Sequence, residues 1–286
     1  MQFRLKSCAK DPSLKGTALM FSRLFRQRRR IIVLVLGAML CGALGLGVGL
    51  APLICGMLGF GVACMLIMLA PNRRTWIEAL GIGLVMAALL NLPASSFPLA
   101  MVACAALAHL AIHGRWSDRT ALRLSMVSHK TARVTANPAH VWAALIPGEG
   151  HPDDHWSGTL MDFDHDPDDP FTTYLRYRAP GGLHEDVTVT FLDHDGPSFC
   201  RYVIERCEEG FAEAGIMAIT ITVPEPGQCQ IDSHLTFDAL PARIALGRWL
   251  DDTFGDEWDS FAATVSARHD WSIHGLRRTK VAAAQV

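Results

Sequence analysis

Charge is missing where soluble proteins carry most of it. From Ile31 to Ala70, forty consecutive positions hold no Asp, Glu, Lys or Arg, and only 19% of the 286 residues are charged at all. That scarcity sets the chain apart from ordinary soluble proteins. Acidic residues are also scarce through the first part of the chain. Residues 1–128 carry fourteen Lys/Arg against three Asp/Glu, a balance of +11, while residues 129–286 carry twelve against twenty-five, a balance of −13. The two sum to the net −2 of the whole chain and place a boundary near residue 128. A strongly acidic second half excludes nucleic acid as a partner. A CxxC pair is lacking too: Cys41, Cys55, Cys64 and Cys104 sit inside apolar runs, leaving Cys200, Cys207 and Cys229 in the acidic half. An odd number with no close pair excludes a disulfide framework and favours a reducing compartment.

What is present in the first half is apolar. A single helix over those forty uncharged positions would be about 60 Å long, about twice the hydrocarbon thickness of a bilayer. The run breaks at Gly49-Leu50-Ala51-Pro52, giving spans near 31–49 and 53–70. Two shorter ones follow near 75–91 and 97–113, parted by LPASS. Arg23, Arg26, Arg28, Arg29 and Arg30 precede the first span, Arg73 and Arg74 lie between the second and third, and Arg115, Arg119 and Arg123 follow the fourth. The other two loops have no basic residue, so the positive-inside rule puts both termini in the cytoplasm of a multi-pass inner-membrane protein. A twin-arginine export reading of Arg28-Arg29-Arg30 fails because three further spans follow. Gly37, Cys41, Gly45 and Gly49 form a small-xxx-small ribbon suited to packing within the hairpin or to a homo-oligomer. Glu78 lies about one turn inside the third span and His109 about one turn inside the fourth; His109 and His113, four apart on one face, offer a haem or metal pair but read better as interfacial histidines, so the bundle reads as an anchor rather than a transporter.

Residues 114–128 link the halves. Arg115, Arg119 and Arg123 fall at i, i+4 and i+8 with Trp116, Leu122 and Met126 on an apolar side. Two readings stand: an amphipathic helix at the headgroup layer, with Arg115, Trp116, Arg119 and Arg123 as membrane-surface residues, or a continuation of span four.

The acidic half opens with a short strand at 129–135 and a helix capped by Asn137-Pro138, with Val141, Trp142 and Leu145 on its apolar face. A second short helix is expected at 152–157. Strands are expected at 158–164, 171–178, 184–193, 198–207, 214–223 and 229–238. Alternation such as Val187, Val189, Phe191 against Thr188, Thr190 marks antiparallel strands with one wet face. After Pro241 the period changes: Ile244, Gly247, Leu250, Phe254, Trp258, Phe261 and Val265 lie on one face of a helix of about seven turns. Gly255 is where that helix would bend.

This element order, entered by VTANPAHVWAALI and closed by LPARIALGRWLDDTFGDEWDSF, resembles the START-like superfamily, in particular the polyketide cyclase/dehydrase and lipid-transport group of the helix-grip fold. The likeness covers roughly residues 129–272. It implies an α+β helix-grip domain, a curved antiparallel sheet around a long C-terminal helix; the four-span α-helical anchor before it lies outside the likeness and rests on the apolar spans alone. The expected divisions are a basic segment 1–30, the spans 31–113, the linker 114–128, the domain 129–272 and a tail 273–286. It further implies an apolar cavity for a lipid, quinone or aromatic polyketide-like molecule, with Trp142, Trp156, Tyr177, Phe191, Phe254 and Trp258 as candidate lining residues.

Three functions follow from this. One is a domain binding a hydrophobic ligand at the cytoplasmic face, with the bilayer and a hydrophobic small molecule as partners. Another is a membrane-bound cyclase or isomerase, which needs a polar cluster inside the cavity. The last is a non-catalytic interaction module with a filled core. No catalytic residue stands out: strand parity offers Ser233, Tyr177, Arg176 and Arg201, and no Ser-His-Asp set or carboxylate pair is present. No cofactor or metal is expected. His151 and His155 are four apart, and Asp162, Asp164, Asp166 and Asp168 alternate like the start of a calcium loop. That loop would need Gly where Pro167 stands and Glu where Thr173 stands, so an acidic turn is the better account.

Overall fold

The computed structural model describes residues 23–120, 122–179, 183–208 and 211–276. Most of the expected basic segment 1–30 and most of the expected tail 273–286 lie outside them.

The apolar half forms four helices: α1 (Arg28–Leu46), α2 (Ala51–Leu69), α3 (Trp76–Leu89) and α4 (Phe97–His113). Three helices, Arg28–Leu46, Ala51–Leu69 and Phe97–Asp118, are long and apolar enough to cross a membrane. The fourth, α3, has 14 residues and is about 21 Å long, short of the usual hydrocarbon thickness. It is also the enclosed one. Gly81 faces α1, where an added Cβ would stand 2.8 Å from the Val33 carbonyl oxygen and 2.9 Å from Leu34 Cα. Gly83 faces α4, where an added Cβ would stand 2.7 Å from the Ala105 nitrogen. The run WIEALGIGL therefore keeps glycine where two neighbours press on α3 from different sides. Leu36, Leu40, Leu44, Met57, Leu58, Phe60, Leu99, Val102 and Leu107 on the other helices point outward and are exposed.

Of the glycines in the small-residue ribbon, Gly37 sits at a crossing, against the Gly81 backbone, while Gly45 and Gly49 meet nothing within 4 Å. Gly42, outside the ribbon, is the one that touches Cys55 of α2.

The second half is a seven-stranded antiparallel sheet of order β1-β7-β6-β5-β4-β3-β2. Its strands are β1 (Arg123–Val134), β2 (Leu160–His165), β3 (Thr172–Arg178), β4 (His184–Asp195), β5 (Phe199–Glu208), β6 (Phe211–Glu225) and β7 (Gln228–Pro241). Between β1 and β2 lies α5 (Pro138–Leu145), whose first turn is fixed by the Asn137 side chain accepting from Ala139 N at 2.9 Å. After β7 come α6 (Ala242–Asp251) and α7 (Thr253–Val265). The sheet face carrying Val187, Val189, Ile219, Ile231 and Leu235 packs in one apolar core with Phe254, Trp258 and Phe261 of α7. This is the helix-grip architecture.

Four expectations are corrected. The linker is not an amphipathic α-helix: the helical stretch that follows α4 is a 3-10 turn, Arg115–Arg119, and β1 begins at Arg123. Pairing of Arg123 with Pro241 and Met126 with Phe237 on β7 outweighs a helical periodicity carried by three arginines. Arg115, Arg119 and Arg123 thus share no helix face; Arg123 instead donates to the carbonyls of Thr120 and Asp118, and Trp116 stays exposed with its indole nitrogen on the Leu110 carbonyl. The expected helix at 152–157 is only a 3-10 turn, Pro152–Asp154. The seven-turn helix is two helices, and the break is at Asp252, not Gly255. Asp252 adopts the left-handed conformation, φ 45° and ψ 47°, which Asp tolerates better than most residues. Finally, the domain runs past 272: Ile273 is buried and its N–H donates to Asp256 at 3.0 Å.

The break has a purpose visible in its contacts. Asp251 and Asp252 face the anchor, and the arginines that read as topology signals are bound to them. Arg74 donates twice to Asp251, at 2.8 and 3.0 Å, and Arg30 once at 2.7 Å. Arg26 bonds Asp252 at 2.7 Å and Asp259 at 2.8 and 2.9 Å. Lys130 of β1 reaches Asp252 from the other side at 3.0 Å. Arg23 donates to the Trp271 carbonyl, Gln27 to the Asp251 carbonyl, and Arg243 to Asp118. Glu78 and His113 pair with each other within the bundle. Glu78 is 2% exposed, bonded by Arg30 and, at 2.6 Å, by His113, while His109 stacks on Trp76.

Candidate functional site

Between sheet and α7 lies a cavity of about 350 Å³, within the range of small-molecule sites. Strand parity builds it. The inward row of β3 ends Leu175-Tyr177, that of β4 runs Glu185-Val187-Val189, that of β5 Tyr202-Ile204-Arg206, and that of β6 Glu213-Met217-Ile219, all lining the cavity. Each row is apolar in the middle and polar at one end. Register brings those ends together, since Tyr177 pairs with Glu185 and Arg206 with Glu213. The result is an apolar chamber with a polar band across four adjacent strands. From the helices, Arg248, Phe254, Glu257, Trp258 and Phe261 complete the wall.

Of the six candidate lining residues, Trp156, Tyr177, Phe254 and Trp258 stand on this cavity. Trp142 and Phe191 do not. Trp142 lies edge-on to His194 and beneath Gly196, and Phe191 packs between His194 and Tyr202, so both belong to the far end of the core. Ser233 is buried but its hydroxyl donates to the Lys130 carbonyl. Arg176 and Arg201 are outside, paired with Asp186 and Asp193. The acidic turn is held by its own bonds: Asp166 accepts from Tyr174 Oη at 2.5 Å and Asp169 from Thr172 Oγ1 at 2.8 Å. Among the described residues, no three His, Cys, Asp or Glu side chains converge on a metal-sized site.

The residues missed from sequence are the polar ones. His155, weighed only as a partner of His151, is 6% exposed in the cavity wall, with Nδ1 2.8 Å from Ser157 Oγ and its ring against Tyr177. Ser157 N also points at Nδ1, at 3.3 Å, so Nδ1 acts as acceptor and Nε2 carries the proton. Arg206 and Glu213 follow from carrying parity to the strand ends, where apolar scoring stops. Arg248 donates to Glu213 and lies over the Phe237 ring, 4.5 Å from its centre. Phe237 itself lies across Gly215, the position its ring occupies on β6 leaving no room for a side chain.

Burial controls the titration here. It pushes His155 down to about 4, with His274 adding to the effect, and pushes Tyr177 up to about 12. For Arg206 burial disfavours the charge, but Glu185, Glu257 and Glu213 outweigh it and hold the pKa above its ordinary value. Asp256 is raised by burial to about 6, against the pull of the Ile273 and His274 N–H groups it accepts.

These shifts oppose each other in one pH window. As pH falls from about 6 to 3.8, folded Asp256 takes its proton before the unfolded chain does, so the fold gains stability. As pH falls from 6.5 to about 4, the unfolded chain protonates His155 first, so the fold loses stability. Asp256→Asn should therefore make stability fall more steeply on acidification than in the wild type, and His155→Gln should do the reverse. Melting temperatures of the three proteins from pH 4 to 7 decide it; profiles parallel to the wild type would refute both assignments.

No family model matches the chain, and no curated protein matches it. Solved structures resemble about half of the chain. A conserved protein from Geobacillus kaustophilus shares 10% identity over 50% of this chain and 93% of its own, with a TM-score of 0.40. Ara h 8.0201 shares 11% over 51% and 100%, at 0.39. A START superfamily protein from Mycobacterium smegmatis shares 11% over 49% and 97%, at 0.36. At these values the matches say nothing of ligand or chemistry, which rest on the cavity itself.

Proposed function

We propose that the chain is a membrane-tethered helix-grip protein that binds a hydrophobic small molecule in the cavity between sheet and α7, at the cytoplasmic face. The carrying observation is the cavity of about 350 Å³ walled by Phe254, Trp258, Phe261, Leu235 and Met217. Packed interiors rarely keep such a volume without use, and it argues against the filled-core module. The outward apolar side chains of α1, α2 and α4 support immersion in lipid, since a comparable surface in water would be a large exposed patch. With α3 held inside the bundle, the four-span topology remains our reading. Its orientation draws support from Arg26, Arg30 and Arg74 lying on the same end as the domain.

A polar band with His155, Tyr177, Arg206 and Glu257 on the cavity favours one second reading, an acid–base enzyme of cyclase or isomerase type acting on a membrane-soluble substrate. The His155 Nε2–H and the Tyr177 hydroxyl would serve as donors to a substrate oxygen on which charge develops.

Purified full-length protein should yield a stoichiometric apolar small molecule on solvent extraction and mass spectrometry. Met217→Trp, which fills the chamber, should lose that molecule while keeping annular lipid. Re-addition should raise the wild-type melting temperature by mass action. Identical extracts from wild type and Met217→Trp, with no thermal shift by any candidate, would remove the proposal.

A further inference from the structure

The polar band restricts the head of the ligand. Six charged residues line the cavity: Arg178, Arg206 and Arg248 against Glu185, Glu213 and Glu257. Three positive and three negative charges leave the chamber neutral, and His155 adds none at pH 7 because burial keeps it unprotonated. Arg248 and Glu213 are committed to each other. Arg206 is held less closely, by an ion pair with Glu185. Arg206 Nε has no hydrogen-bond partner among the described residues, and its nearest acid is Glu185 at 3.4 Å. Its side chain is 39% accessible and lines the cavity. Glu257, next to Trp258 and one turn of α7 before Phe261, acts on Arg206 and Tyr177 through space. Among the described residues it makes no hydrogen bond or ion pair.

A guanidinium and a carboxylate on the wall of one cavity of balanced charge ask for a group that accepts from the first and donates to the second. A ligand carboxylate would satisfy Arg206 but leave a net negative charge beside Glu185 and Glu257. A ligand ammonium would satisfy Glu257 but leave a net positive charge beside Arg206. Either excess charge is costly away from water. We propose that the cavity selects an uncharged amphiphile, an apolar body ending in hydroxyl or hydroxycarbonyl groups, with its oxygen accepting from Arg206 and its hydroxyl donating to Glu257. This rests on the ligand-binding reading above and names the ligand class for that same cavity.

The test uses the full chain in nanodiscs and four probes of equal chain length: a fatty alcohol, a 1-monoacylglycerol, the carboxylic acid and the primary amine. Binding is read from fluorescence of Trp156 and Trp258 in the cavity wall. In the wild type the monoacylglycerol and alcohol should bind about ten-fold or more tightly than the acid or amine, the ratio of one charge-assisted hydrogen bond. Glu257→Gln should move the preference toward the acid, and Arg206→Gln toward the amine. A reciprocal switch of this kind does not arise from a generally weakened fold. If the acid or amine binds best in the wild type, or both variants keep the wild-type ranking, the head-group inference is wrong and the ligand-binding reading stands. If none of the probes binds while an apolar molecule is still extracted, the head-group inference fails alone. If nothing binds and nothing is extracted, both fail.

Discussion

Asp251→Ala should cost the fold about 3–5 kcal/mol, the range for stripping one partner from a buried ion pair. Asp251 holds Arg74 through two bonds and Arg30 through one. Arg30 is 0% and Arg74 8% exposed, so neither can turn to water in compensation. Arg30 would keep Glu78, and Arg74 would keep the Pro71 carbonyl, which limits the loss to one carboxylate. Thermal unfolding of the full chain in detergent should show a drop of roughly 10 °C or more for a protein of this size. Asp251→Asn keeps the shape and one acceptor and should lose less. Adding Arg74→Met to Asp251→Ala should restore part of the loss, because the stranded charge is then gone. An Asp251→Ala protein melting with the wild type would show that the seam contributes nothing. Burial alone would raise the Asp251 pKa, but Arg74 and Arg30 pull it below the ordinary value. Its contribution is therefore full above about pH 4 and is lost only as pH falls further.

The second large effect is expected at Gly81→Leu. Gly81 meets Val33 and Leu34 backbone atoms of α1, and Gly37 meets the Gly81 backbone in return. Backbone cannot rotate away as a side chain can, so α1 and α3 must part by about the width of the new group. Overpacking commonly costs 1–3 kcal/mol, and here it would also pull Glu78 from Arg30. The melting temperature should fall in the order wild type, Gly81→Ala, Gly81→Leu. Gly45→Leu on α1 meets nothing within 4 Å and should melt like the wild type. Gly81→Leu and Gly45→Leu behaving alike would refute the crossing.

The strand order and the aromatic face of α7 were legible because period-2 and period-3.6 patterns are local. The Asn137-Pro138 entry was legible because capping needs only neighbours. What escaped was set by distant groups. Arg26, Arg30 and Arg74 carry the same charge whether they face headgroups or Asp251 and Asp252, so sequence could not separate the two. Arg123 fell in register with Arg115 and Arg119, yet its pairing partner is Pro241, over a hundred positions away. Trp142 and Phe191 lie on the expected apolar faces but toward the filled end of the core. Arg206, Glu213 and Glu257 form a site only through the β5–β6 register and the packing of α7.

The left-handed residue at Asp252 bears on how this protein can be divided. A continuous seven-turn rod would have aimed successive acids around its axis. The stop at Asp252 instead sets Asp251 and Asp252 side by side at the anchor's surface, one taken by Arg30 and Arg74, the other by Arg26 and Lys130. A cut within residues 114–122, where composition and charge both change, would strand six arginine–carboxylate hydrogen bonds and the Trp271 carbonyl at once. The covalent boundary between the halves is thus not the mechanical one. A portable cassette carrying the cavity would have to bring residues 23–30 along.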